Sequence, residues 1–366
     1  MRQRRLGQSQ PRPPAYSSWG AGRVLAEKNR VDLHTILERV VQAEKPTAIE
    51  KLVADFYASG MDETAINAAG LTPLQPELDR IAAVKSATDL PVLLAHFHLS
   101  GVGAGFFFSS EQDPKDTTMM IAATGQGGLG LPDRDYYFRT DEKSQKTRTA
   151  YVTHIAKTLE LAGRDPEAAQ VDATAILALE TRLAHGSKKN TELRDPVANY
   201  HKLPIADVQR LTPHFDWSAY FAALGLAAPV AIDVGQPEFC QAFDAAIADT
   251  DPAIWKTYLR WHLLRSTSSF LSTPFVDEHF AFFDQTLTGA QELRERWKRV
   301  LDTVDEQAGE ALGQLYVAEY FRPSRKLAWS SSSPTSVPRS ASVSPPSSGW
   351  TRPPAPKPSP SSMPSA

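Results

Sequence analysis

The chain has 366 residues, 42% of them apolar, and a formal net charge of −3. That length buries a sizeable core, as one large lobe or two domains, and so weak a charge gives no pull toward nucleic acid or an anionic membrane. No apolar run reaches transmembrane length, and a single cysteine, Cys240, rules out an intrachain disulfide or a cysteine-based zinc site.

Residues 1–16 are basic and proline-rich at the start and lack the apolar stretch of a secretory signal, so disorder is expected there. The compartment stays open. Trp19–Val41 sets Val24, Leu25, Val31, Leu33, Ile36, Leu37 and Val40 near helical spacing and predicts an amphipathic helix. Thr47–Gly60 predicts a second, stopped by its glycine, and Leu74–Ala87 a third. Asp89–Leu99 predicts a fourth that carries His96 and His98. Two residues apart on a helix, these face different ways, and on a strand no third ligand stands near. They read as structural or solvated histidines rather than a metal pair.

Gly105–Ser109 and Met119–Ala123 are short apolar runs on either side of the turn sequence EQDPKD, which predicts a β-hairpin. The stretch AATGQGGLGLPDRDYYF at Ala122–Phe138 follows. Gly125, Gly127 and Gly130 spell G-x-G-x-x-G after a strand-like run, as in a dinucleotide loop. That loop needs a helix opening at its third glycine to hold the pyrophosphate. Here Leu131-Pro132 follows at once, and the residue before proline is pushed out of helical ψ. The better reading is a tight turn packed on the protein, with Asp133, Arg134 and Asp135 in local hydrogen bonds and a tertiary reason for each glycine.

The second half is helical. Thr147–Ala162 repeats Tyr151, Ile155 and Leu159 at spacing four, and Asp165-Pro166 opens a helix to His185. Asp216–Leu224 is a short helix, Val230–Val234 a strand, and Pro237–Ala248 a helix that sets Cys240 beside Phe239 and Phe243, as a buried structural thiol. Asp251-Pro252 opens a helix to Leu271 that is apolar nearly all round and therefore buried on more than one side. Thr273-Pro274 opens another to Leu287, and Ala290–Phe321 is the last. Residues 322–366 then turn to serine and proline with no acidic residue, a composition that cannot offset its chain entropy by burial and is expected to be disordered.

Several of these stretches, in this order, resemble one family. GLGLPDRDYY at Gly128–Tyr137 resembles a signature of the non-catalytic N-terminal region of the neprilysin/endothelin-converting-enzyme zinc metallopeptidases. The segment SSWGAGRVLAEKNRVDLHTILE, D-x-K-D at Asp113–Asp116, Y-L-R-W-H-L-L-R at Tyr258–Arg265, F-V-D-E-H-F at Phe275–Phe280, R-W-K-R at Arg296–Arg299 and A-L-G-Q-L-Y-V at Ala311–Val317 are similar to the family as well. The likeness runs over residues 17–321. It implies a mainly α, multi-helical lobe with a small β-hairpin, like the family's lid lobe, which caps a catalytic domain and limits the peptides that enter.

The resemblance also implies what complete members add: zinc held by H-E-x-x-H on one helix and E-x-x-x-D on another. None of the nine histidines here is followed by glutamate. The nearest approach, Asp277-Glu278-His279, reverses the order. No catalytic, cofactor-binding or metal residue is therefore assigned. The expectation is a truncated relative, inactive alone, with residues 322–366 resembling an out-of-frame reading. A stand-alone helical module that binds peptides or proteins is the other reading. Expected partners are peptides or a missing catalytic half. Self-association is expected through an apolar side of the last helix drawn from Trp297, Leu301, Val304, Leu312 and Tyr316.

Overall fold

The computed structural model describes residues 13–321; the disorder expected of residues 1–12 and 322–366 lies outside them. Five helices come first: α1 (Ala21–Val41), α2 (Ala48–Met61), α3 (Glu63–Ala69), α4 (Gln75–Ala82) and α5 (Leu90–Leu99). Thr47 and Glu50 close a capping box at the start of α2, satisfying two amides that have no partner within the helix. Asp62 caps α3, a helix the sequence reading missed because seven residues with no buried side chain show no apolar period.

The hairpin is longer than its apolar ends suggested, with β1 (Phe106–Asp113) antiparallel to β2 (Asp116–Gln126). Most of its outer half is exposed, including Met119 and Met120, so hydrophobic alternation does not mark it. Then come α6 (Asp135–Phe138), α7 (Glu142–Leu161), α8 (Pro166–Gly186), β3 (Lys202–Pro204), α9 (Ile205–Leu211), α10 (Trp217–Ala223), β4 (Ala231–Val234) and α11 (Pro237–Asp249). The strand expected at Val230–Val234 joins the hairpin in one sheet ordered β1-β2-β4-β3, with β4 parallel to β2. The unforeseen β3 is a three-residue edge strand ending in Pro204, a position that proline tolerates because an edge leaves its missing N–H unneeded.

The last elements are α12 (Pro252–Thr267), α13 (Thr273–His279), a π-helical segment at Phe280–Thr286, and α14 (Arg296–Tyr320), kinked at Ala308. As its composition required, α12 is buried on several sides through Trp255, Tyr258, Leu259, Trp261, His262, Leu263 and Leu264. All of these but His262 join one hydrophobic core with α5, α7, α8, α10 and α11. None of the described helices is long and apolar enough to cross a membrane.

Three expectations need correction. Pro13–Tyr16 was assigned to the disordered start, yet the Pro14 carbonyl accepts from the Gln291 amide at 2.8 Å, and Tyr16 is buried with its hydroxyl donating to Glu27. The last helix begins at Arg296 rather than Ala290. Leu301, Val304 and Leu312, candidates for an exposed side of that helix, are at most 1% exposed. Trp297 is half-buried and stacks on His34 at 4.1 Å. Periodicity finds the apolar side of a helix but not what covers it. Among the described residues, 13–312 form one compact unit and a second starts at Gly313, in which Tyr316 and Tyr320 stack at 5.0 Å.

Gly60 marks where α2 meets α14. A Cβ there would lie 2.6 Å from Cγ1 of Val300, and the Arg296 Nε donates to the Gly60 carbonyl at 3.0 Å. Gly60→Ala should therefore destabilise the chain by about 1–3 kcal/mol despite alanine's better helix propensity. Adding Val300→Ala should restore most of the loss, a strong non-additivity readable by denaturant titration. Simple addition of the two effects would contradict the close approach.

Candidate functional site

The glycine-rich stretch is organised by a carboxylate that sequence reasoning did not single out. Glu180 of α8 is 0% exposed. Its Oε2 accepts from the Tyr137 hydroxyl at 2.7 Å and the Tyr151 hydroxyl at 2.9 Å. Its Oε1 lies 3.0 Å from the same Tyr151 hydroxyl and 3.1 Å from Nε2 of His262. Trp261 Nε1 donates to the Tyr151 oxygen at 3.0 Å, and the Leu131 amide donates to the Tyr137 oxygen at 3.1 Å. His262 spends its other nitrogen, Nδ1, on the Gly103 carbonyl at 2.9 Å. With Nδ1 committed as a donor, the Nε2–Oε1 contact requires a proton between the two atoms. Burial is the main force holding the His262 imidazole below its ordinary pKa, and Glu180 opposes it.

The glycines fit around this cluster. A Cβ on Gly130 would overlap the Tyr151 hydroxyl, and one on Gly128, whose φ is +68°, would overlap the Tyr258 hydroxyl. That hydroxyl donates to the Gly128 carbonyl at 2.8 Å and accepts from the Gly105 amide at 3.0 Å. A Cβ on Gly127 would meet the Phe106–Phe107 backbone at 2.8 Å, and one on Gly125 the Gln236 Oε1 at 2.9 Å. Each glycine thus has a tertiary reason. No helix opens at Gly130, since α6 starts at Asp135 and is four residues long, so the stretch does not form a phosphate cradle. Asp133, Arg134 and Asp135 are tied locally as expected. The Asp135 amide donates to Asp133 at 2.8 Å and the Arg134 Nη1 to Asp135 at 3.4 Å, while the Arg134 Nε reaches beyond the loop to the Ala184 carbonyl at 3.2 Å.

A glutamate, a histidine and two tyrosines carry the chemistry of an acid–base site, but Glu180 and His262 are both fully enclosed. The recess beside the loop, about 430 Å³, is lined by His98, Gly103, Phe106, Gly128, Leu129 and Arg265 among others, not by that pair. A group that cannot touch substrate acts on structure. Sequence reasoning missed this pair because Glu180 and His262 lie on different helices, where only folding brings them together.

The other candidates are also structural. His96 bonds Glu77 at 2.7 Å, while His98 sits between the Tyr220 hydroxyl at 2.7 Å and the Ala104 carbonyl at 3.0 Å. Cys240 is buried, and burial pushes its thiol up to about 12. Glu278 meets an unforeseen histidine, His154, at 2.9 Å. Zinc fits none of these, because no group of three or more His, Cys, Asp or Glu among the described residues could hold a metal.

Burial depresses His98, His154 and His279, the last to about 4. The unfolded chain binds these protons near the ordinary imidazole pKa of ~6.5, so their contribution is complete above it and is lost as pH falls toward 4. Asp113, held near 2 chiefly by Lys202, adds a further loss only below ~4. Denaturation midpoints should accordingly drop between pH 7 and 4.5, and His279→Phe should flatten the slope. A pH-independent midpoint over that range would contradict the burial argument.

Comparison with known proteins agrees with this fold. Residues 5–330 match the N-terminal region of peptidase family M13. Endothelin-converting enzyme 1 of Homo sapiens is 29% identical over 338 residues, covering 86% of this chain and 42% of the relative. The zinc metalloprotease Zmp1 of Mycobacterium tuberculosis, solved with an inhibitor, superposes with a TM-score of 0.82 at 34% identity over 88% of this chain and 49% of that one. PepO of Lactobacillus rhamnosis superposes with a TM-score of 0.77 at 18% identity, a likeness of fold alone. The chain spans about half the length of these relatives or less. It is a member of peptidase family M13, matched through that family's N-terminal region.

Proposed function

We propose that this chain is the non-catalytic lobe of an M13 zinc metalloendopeptidase, shaping access for peptides while the zinc chemistry resides in a partner half. The carrying observation is the match of residues 5–330 to the family's N-terminal region, with a superposable counterpart in about half of a zinc metalloprotease. The residues present add support, since they offer neither H-E-x-x-H nor a cluster fit for metal among the described positions. A peptidase relies on its metal to activate water and polarise the scissile carbonyl, so the lobe alone has no source for that chemistry. Partners on this reading are peptides and a catalytic half.

The second reading, a self-sufficient helical binding module, draws support from α14, whose Leu301, Val304 and Leu312 are covered within this chain. A single experiment separates the two. The purified chain is assayed with a mixed peptide library, alone and mixed with the separately produced catalytic half of the Mycobacterium tuberculosis enzyme, with zinc measured by elemental analysis. The lobe reading expects no stoichiometric zinc and no cleavage alone, and cleavage in the mixture above that of the catalytic half by itself. One chelator-resistant zinc per chain with cleavage by the chain alone would overturn it. Peptide binding with no gain in the mixture would favour the module.

A further inference from the structure

A cavity of about 450 Å³ opens between α2, α3, α13 with its π-helical extension, and the start of α14. Its size suits a small organic ligand. Phe56, Ile66, Phe270, Val276 and Phe280 give it apolar walls, while Arg294, Arg296 and Arg299 approach from the α14 side.

The three arginines are not equivalent. Arg294 pairs with Asp302 at 2.6 Å, and that carboxylate also takes Arg30 at 2.8 Å. Arg296 donates to the Gly60 carbonyl and lies 3.8 Å from Glu63. Arg299 donates its Nε to the Arg294 carbonyl at 3.0 Å and, among the described residues, has no carboxylate at ion-pair distance. Burial, with Arg296 and Arg294 nearby, pulls its pKa down; Glu63 and Asp277 oppose this from a distance. A half-buried guanidinium without a counter-ion is costly unless something pairs with it.

The remaining acids at the cavity do not supply that partner. Among the described residues neither Asp284 nor Glu306 stands at ion-pair distance from Arg299, and Glu306 is exposed. Two further observations point the same way. His279, which also lines the cavity, carries a buried Nδ1 with no hydrogen-bond partner. The wall from Phe280 to Thr286 is π-helical, a distortion that costs stability and recurs at functional sites.

We propose that this cavity binds a carboxylate carried on a compact apolar body, with Arg299 as the charge partner and the phenylalanine-rich walls around the body. The carboxylate belongs to a free aromatic or aliphatic acid or to the last residue of a peptide; both offer the same chemistry. A guanidinium pairs with it through parallel N–H donors, and desolvation by the apolar walls strengthens the pair. The inference does not rest on the peptidase-lobe reading.

The test is calorimetric titration of the full chain with N-acetylphenylalanine, its amide, and an octapeptide ending in phenylalanine. Binding of the acid should exceed that of the amide by about tenfold or more, as expected for loss of a charge-assisted contact. Arg299→Gln should abolish this preference and Arg299→Lys, which keeps the charge but not the paired N–H donors, retain only part of it, with circular dichroism confirming that both fold. Tighter binding of the octapeptide assigns a peptide C-terminus, and tighter binding of the free acid assigns a small molecule. The acid–amide comparison on the unsubstituted chain needs no variant. No binding by any probe, or equal binding of acid and amide, would overturn the proposal.

Discussion

The buried carboxylate of Glu180 is the constraint on which the rest of the structure turns. A charged or polar group with no exposure is strongly destabilising unless its hydrogen-bonding capacity is met. Here two tyrosine hydroxyls and an imidazole meet it, each from a different element: Tyr137 from α6, Tyr151 from α7 and His262 from α12. Satisfying one side chain of α8 therefore fixes three other helices relative to it. The loops follow, because Tyr137 takes the Leu131 amide, His262 takes the Gly103 carbonyl, and Tyr258, one turn before His262, clamps Gly105 and Gly128. Such a network specifies one arrangement more sharply than apolar packing does, since a partial version leaves buried groups unmet.

This explains the composition of the glycine-rich stretch. The sequence places four glycines where their entropic cost needs a reason, and the letters alone suit either a phosphate loop or a packed turn. The following proline argues for the turn, and the structure supplies the reason: tyrosine hydroxyls and backbone occupy the space where Cβ atoms would stand. The nucleotide reading fails for a physical cause, because the loop's close approaches are already taken by the protein itself.

Helix positions were legible where the signals were local. Asp165-Pro166, Asp251-Pro252 and the Thr47–Glu50 box mark starts within one residue, since capping is a short-range interaction. The all-round apolar α12 was legible as a buried helix for the same reason. What stayed hidden depends on distant partners. The three-residue β3 acquires its strand character from β4, thirty residues on, and the burial of Leu301 and Val304 depends on elements the pattern of α14 cannot name. Glu180 and His262 read as ordinary polar residues in helices. The family resemblance reached further than periodicity, because the motifs around Gly128–Tyr137 and Tyr258–Arg265 are the two sides of this one network.

The peptide-access reading and the network meet at the level of rigidity, since a lobe that limits entry by shape must hold its helices in fixed relation. The direct test is Glu180→Gln, which keeps the volume but turns an amide donor toward hydroxyls that also donate. Denaturant unfolding and amide exchange at Leu131 and Gly105 would be read together, because both amides are held by the tyrosines of the network. The account predicts a loss of about 2–4 kcal/mol and faster exchange at both amides. Unchanged stability with unchanged protection at Leu131 and Gly105 would contradict it.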